Sequence, residues 1–241
     1  MCKCYRAPDN NRRQFIGRTL SLMALPMLLP RLGRADAGPK PQNAISPDAA
    51  LRRLMDGNAR YVSNALDVKD FSVDRSARVK GQFPIAAFLS CADSRVAPEL
   101  IFDQGPGDVF VVRVAGNYLS SNSLASLEYA VAVLNVPLIM VLGHTECGAV
   151  KSTISALQGH TPLPGHIWDI VDAVRPGVEK IISEGGEDLA NRAVATNVQY
   201  NVSRIATAQP IIAEAAQAGR VKVVGAVYEL ATGKVRATPP T

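Results

Sequence analysis

The run Ile-Ala-Ala-Phe-Leu-Ser at 85–90 is almost wholly apolar, begins after Pro84 and gives way at Cys91 to a polar segment. A short apolar run between breakers predicts a strand buried on both faces, as in a parallel sheet. Runs of the same kind recur at 109–114 and 137–142. Between those two, Leu124, Leu127, Ala130, Val131 and Leu134 fall at helical spacing and predict a helix over 123–134. Strand, helix and strand in alternation predict an α/β fold, a mainly parallel central β-sheet flanked by helices. Further helices are predicted over 163–182 and 189–218, the second interrupted near Pro210. A C-terminal strand pair is predicted over 221–229 and 234–236, turning at Thr232-Gly233.

Ahead of the first strand, Ser46 is suited to cap a helix whose first residue is Pro47. Ala50, Leu51, Leu54, Asn58 and Tyr61 then line one side of an N-terminal helical arm over 47–62. An amphipathic helix of that length needs its own core or a partner subunit to cover it. The Pro-containing stretch 38–46 lacks apolar periodicity and reads as a flexible linker, which leaves 47–241 as a single domain.

Charge changes the picture only at the start of the chain. The net charge of the 241 residues is +5, which invites a polyanion partner. Residues 1–37 hold seven basic and two acidic side chains, so everything beyond them sums to zero and no nucleic-acid partner is expected. The same segment has the order of a twin-arginine export signal: Arg12-Arg13 in a basic region, an apolar stretch over 19–29, then Ala35-Asp36-Ala37. The expectation is a cleaved leader, use of the twin-arginine machinery, and a periplasmic or otherwise exported product. The apolar stretch, broken by Pro26, is too short to cross about 30 Å of hydrocarbon as a helix, so no permanent membrane span is expected.

Removal of that leader takes Cys2 and Cys4 with it and leaves Cys91 and Cys147. Cys91-Ala92-Asp93-Ser94-Arg95 directly follows the first predicted strand, and His144-Thr145-Glu146-Cys147-Gly148 directly follows the third. Ligands of open parallel sheets sit beyond the carboxyl ends of the strands, so both segments emerge at one edge. Two thiols, an imidazole and a nearby carboxylate are the ligand types zinc prefers. Thiol redox chemistry is the weaker reading, because no Cys-x-x-Cys supports it.

These segments, with Gly107-Asp108-Val109-Phe110-Val111-Val112-Arg113 and Glu128-Tyr129-Ala130-Val131, resemble the β class of carbonic anhydrases from about residue 47 to 236. The resemblance implies one zinc ion per chain, held by Cys91, His144 and Cys147, and the reversible hydration of carbon dioxide to bicarbonate and a proton. Asp93 and Arg95 become a catalytic pair, in which Asp93 either ligates the metal itself or turns away to pair with Arg95. Gln82, Phe110, Tyr129 and Gly148 fall at positions that line the carbon dioxide pocket, partly from the neighbouring subunit of a homodimer or larger even-numbered oligomer. Core packing is an equally good account of Phe110 and Tyr129. Phe88 stands where a bicarbonate-regulated subset has Trp, which implies the unregulated type.

Two alternatives share the ligand set: a zinc hydrolase acting on carbonyl sulfide or carbon disulfide, and a non-catalytic zinc or bicarbonate binder. His160 and His166 lie in a turn-rich loop where imidazoles can relay protons, although a plain surface loop accounts for them better. Glu146 and Lys151 read as solvated faces or as helix-start charges.

Overall fold

The computed structural model describes residues 41–239 apart from 71, 73, 74, 160 and 161. The expected export signal and His160 therefore lie outside the described residues.

Ser46 caps the first helix as expected, its Oγ accepting from the Ala49 N–H at 3.2 Å. This helix, α1 (Pro47–Val62), buries Ala50, Leu54, Gly57 and Asn58 against its own chain. A Cβ at Gly57 would stand 1.9 Å from the Phe102 carbonyl oxygen, so only glycine permits the approach. Asn58 fixes the register. Its amide donates to the carbonyls of Ile101 at 3.1 Å and Gly233 at 2.9 Å, and its oxygen accepts from the Val235 N–H at 2.9 Å.

A flexible linker was expected over 38–46; the described part, residues 41–46, is anchored instead. Asn43 is buried and its amide donates to the Leu134 carbonyl at 2.6 Å, while Gln42 donates to Asp108 at 2.9 Å. Polar side chains that find backbone and carboxylate partners anchor a segment that has no apolar pattern to announce it.

The chain continues through α2 (Arg75–Arg78), β1 (Ala86–Ser90), α3 (Pro98–Ile101), β2 (Val109–Arg113), α4 (Ser121–Ala132) and β3 (Leu138–His144). It then forms α5 (Gly148–Leu157), α6 (Ile167–Glu184), α7 (Leu189–Ala206), α8 (Ile211–Gln217), β4 (Lys222–Tyr228) and β5 (Val235–Ala237). The five strands lie in the order β2-β1-β3-β4-β5, the first four parallel and β5 antiparallel to β4.

Successive side chains of β1 and β3 point to opposite faces, which divides the core in two. Ala87, Leu89, Ile139 and Val141 meet Leu127 and Val131 of α4 and Val198 and Ile205 of α7. Ala86, Phe88, Leu138, Met140 and Leu142 meet Leu54 of α1 and Ile101 of α3. Phe88 is wholly buried, its ring 5.3 Å from that of Phe102. Because β1 and β3 are parallel neighbours, Cys91 and His144 come out at the same end of the sheet.

Candidate metal centre

Each arm of the site is a strand end locked by its neighbours. β1 leads into Cys91, whose carbonyl accepts from Arg113 Nε at 3.0 Å, and Arg113 Nη2 donates to the Asp93 carbonyl at 2.6 Å. Arg113 ends the adjacent β2, so one side chain ties the Cys91–Asp93 turn to the sheet. β3 leads into His144. The Thr145 N–H donates to the Tyr228 carbonyl at 2.9 Å, and Thr145 Oγ1 accepts from the Leu230 N–H at 3.1 Å. The chain then turns at Glu146, in the left-handed region at φ 60°, and α5 opens with Cys147 as its N-cap.

Cys91 Sγ and Cys147 Sγ stand 4.0 Å apart. With a nitrogen of His144 they form a buried group whose ligand atoms all lie within 4.8 Å of one another, the spacing of donors around one small ion. His144 Nδ1–H donates to the Thr145 carbonyl at 2.9 Å, which leaves the lone pair on Nε2. Nε2 is buried and has no hydrogen-bond partner. An orphaned buried acceptor beside two sulfurs costs free energy unless something else binds it, and a soft divalent cation suits all three atoms.

The sulfurs are electrically unequal. The Cys91 thiol is held well down by the hydrogen bond from Cys147, with His144 and the Gly116 N–H adding to it against burial. Cys147 is pushed up by Cys91 and by burial, while the Val150 and Ala149 N–H groups at the start of α5 pull the other way. A cation that binds both as thiolates displaces the proton the pair shares.

Asp93 lies beside this group. Arg95 grips it by a fork, Nε to Oδ1 at 2.9 Å and Nη2 to Oδ2 at 2.8 Å, and the Arg95 N–H adds a bond to Oδ1 at 3.0 Å. The Arg95 guanidinium is the main reason that the carboxyl sits far below the usual carboxylate range. Asp93 Oδ2 is 3.9 Å from His144 Nε2. Of the two roles expected for Asp93, the structure shows the one turned toward Arg95.

Within one chain the pocket residues do not gather here, Gly148 apart, which adjoins Cys147. Phe110 registers with Ala87, four residues before Cys91, and at about 3.3 Å per residue that is ~13 Å along the strand. It faces Tyr129, ring to ring at 6.4 Å, and Tyr129 is half exposed beside the β2 edge. Gln82 is exposed ahead of β1, toward the opposite end of the sheet. His166 projects fully into solvent with its Nδ1 3.5 Å from Asp169, and Glu146 pairs with Lys151.

Sequence reasoning assigned no task to Arg113, Thr145 or Gly116. The signal for Arg113 was a cation closing an apolar strand, beside the turn that follows the neighbouring strand.

Two thiols and an imidazole at the carboxyl ends of parallel strands, with a carboxylate forked to an arginine beside them, define an α/β enzyme built around zinc. The family model for carbonic anhydrase matches residues 86–235. The carbonic anhydrase of Mycolicibacterium smegmatis is 43% identical over 192 residues, 79% of this chain and 92% of that protein. The β-carbonic anhydrase CcaA superposes with a TM-score of 0.61 at 31% identity, covering 78% of this chain and 87% of that one. A structure described as one of two tetrameric β-carbonic anhydrases from Sordaria macrospora gives a TM-score of 0.60 at 26% identity, covering 79% and 96%. The chain belongs to the carbonic anhydrase family, in its β class.

Proposed function

We propose that this chain hydrates carbon dioxide reversibly, to bicarbonate and a proton, at one zinc ion held by Cys91, His144 and Cys147, with Asp93 and Arg95 as the catalytic pair. The buried, unpartnered Nε2 of His144 between two sulfurs carries the assignment. Cys91, His144 and Cys147 would hold the zinc, which would supply Lewis acidity to make a water oxygen nucleophilic near neutral pH. The chain supplies the positioning. Arg95 occupies both oxygens of Asp93 and so holds the carboxylate off the ligand group, ionised and able to accept a hydrogen bond from the attacking water. Arg113 keeps the turn that carries Asp93 in place.

Gly148 lines the carbon dioxide pocket from the same chain, and Gln82, Phe110 and Tyr129 line it from a second copy. Their distance from their own sulfur cluster supports this arrangement, as does the tetrameric description of the Sordaria macrospora structure. The enzyme thus works as an even-numbered oligomer. Among the described residues no helix is long and apolar enough to cross a membrane.

Export through the twin-arginine route is part of the proposal. The order of basic pair, apolar stretch and small-x-small site in residues 1–37 supports it. That route resembles one that moves folded proteins, and thiols already on a metal arrive protected in an oxidising compartment.

Zinc analysis alongside stopped-flow carbon dioxide hydration tests the site. The wild type is expected to hold about one zinc per chain, and Cys147→Ser and His144→Ala to lose metal and rate together. Full zinc and full rate in either variant would remove that residue from the site.

A further inference from the structure

The loop after β2 contributes no ligand, yet it touches one. The Gly116 N–H points at Cys91 Sγ from 3.3 Å. From its other side the same loop is held by one face of α7. Asn197 Nδ2 donates to the Gly116 carbonyl at 2.9 Å, Asn201 Oδ1 accepts from the Leu119 N–H at 2.8 Å, and Arg204 donates to the Leu119 carbonyl at 3.0 Å. Residues spaced by four and then three share one side of a helix.

Asn201 also donates to the Asn197 backbone carbonyl at 2.8 Å and to Asn197 Oδ1 at 3.1 Å, which orients the Asn197 amide with its NH2 toward Gly116. Both amides are 1% exposed on a helix otherwise buried through Ala193, Val194, Val198, Val202 and Ile205. Packing alone is better served there by apolar residues, since a buried amide is tolerated only for the bonds it makes.

We infer that Asn197 is a positioning residue for the metal centre: by gripping the Gly116 carbonyl it sets the Gly116 N–H on the Cys91 sulfur. It thereby fixes the direction and the electron density that this sulfur offers a metal. The inference rests on the zinc site proposed above. Only the φ and ψ of Gly116, with φ at +84°, separate the carbonyl that Asn197 holds from the N–H that meets Cys91. Holding the carbonyl therefore restrains where the N–H of the same residue points. Partners of this kind, one step out from the ligands, change metal affinity by about 10–100-fold when removed.

The test uses full-length wild type, Asn197→Ala and Ile205→Val, the last thinning the apolar packing of the same helix while leaving Asn197, Asn201 and Arg204 in place. Zinc per chain is measured first, then zinc loss to a chromogenic chelator and the thiolate-to-metal absorption band of the cobalt-substituted protein. Wild type without zinc would sink the site assignment itself. With zinc present, Asn197→Ala is expected to bind it at least about tenfold more weakly. Its cobalt band is expected to move to longer wavelength as the sulfur loses its hydrogen bond, and Ile205→Val is expected to match wild type in both.

Unchanged affinity and an unmoved band in folded Asn197→Ala would overturn the inference, and so would an equal change in Ile205→Val. If Asn197→Ala does not fold, Asn197→Asp, which has the same outline but lacks the NH2, takes its place at pH 8 with the same expectations. Failure of both to fold would make Asn197 a folding requirement and refute the positioning role.

Discussion

A single methyl group at Gly116 probes the coupling between the loop after β2 and both sulfur-bearing segments. At φ +84° the backbone lies where a residue with a Cβ pays about 1–2 kcal/mol. The added Cβ would meet Val174 Cγ2 at 2.9 Å and Ala149 Cβ at 3.2 Å. Overpacking of that kind costs about 1–3 kcal/mol. Gly116→Ala is therefore expected to lose about 2–5 kcal/mol, a large share of the ~5–15 kcal/mol that a domain has. At roughly 2–4 °C per kcal/mol for a chain of this size, the melting temperature should fall by about 4–20 °C.

The relief of the clash also has a direction. Ala149 is two residues beyond Cys147, so pushing it shifts the first turn of α5, and the Gly116 N–H leaves Cys91. Thermal melts followed by circular dichroism, with zinc release recorded in the same samples, give both readouts. A melting temperature within roughly 2 °C of wild type together with unchanged zinc retention would refute the packing argument.

Arg95→Lys keeps the charge but loses the fork, so carbon dioxide hydration should fall about 10–100-fold in kcat/KM with zinc content unchanged. Full activity in that variant would show that the position of Asp93 is immaterial. Asp103 is buried at the edge of the helical arm, paired with Arg60 at 2.6 Å and with Lys69, and these partners hold its carboxyl below the usual range against the opposing effect of burial. Its contribution to stability is thus fully present above the unfolded value of about 3.9 and is lost as pH falls through the lower folded value. Asp103→Asn should cost about 2 kcal/mol in urea melts at pH 7, a gap that narrows below about pH 4, and a gap independent of pH would contradict the pairing. Replacing Arg12 and Arg13 together by Lys should retain the protein in the cytoplasm, as read by cell fractionation, whereas unchanged export would remove the twin-arginine reading.

The sheet was legible because buried parallel strands carry continuous apolar runs: 85–90, 109–114 and 137–142 anticipate Ala86–Ser90, Val109–Arg113 and Leu138–His144 to within about two residues. The break near Pro210 was legible too, since α7 ends at Ala206 and α8 begins at Ile211. Helix α5 was not. Its sequence starts with Gly148 and contains Val150, Thr153 and Ile154, all of low helical propensity, and packing of Val150 and Ile154 with residues of α6 and α7 holds it in shape. The helix expected from 163 starts at Ile167, because Pro164 and Gly165 suit the loop ahead of it.

For the site, residue type and strand-end placement were enough to name Cys91, His144 and Cys147 as candidates. The tautomer of His144, the grip of Arg113 on two carbonyls and the reach of Asn197 to Gly116 depend on contacts between residues as far apart as 81 positions, which no local pattern encodes.

Zinc K-edge X-ray absorption of the purified full-length protein tests the central claim most directly. The account predicts two sulfur scatterers near 2.3 Å, one imidazole nitrogen at about 2.0–2.1 Å and one further light atom. A spectrum with light-atom scatterers alone, or a protein that retains no zinc, would contradict it.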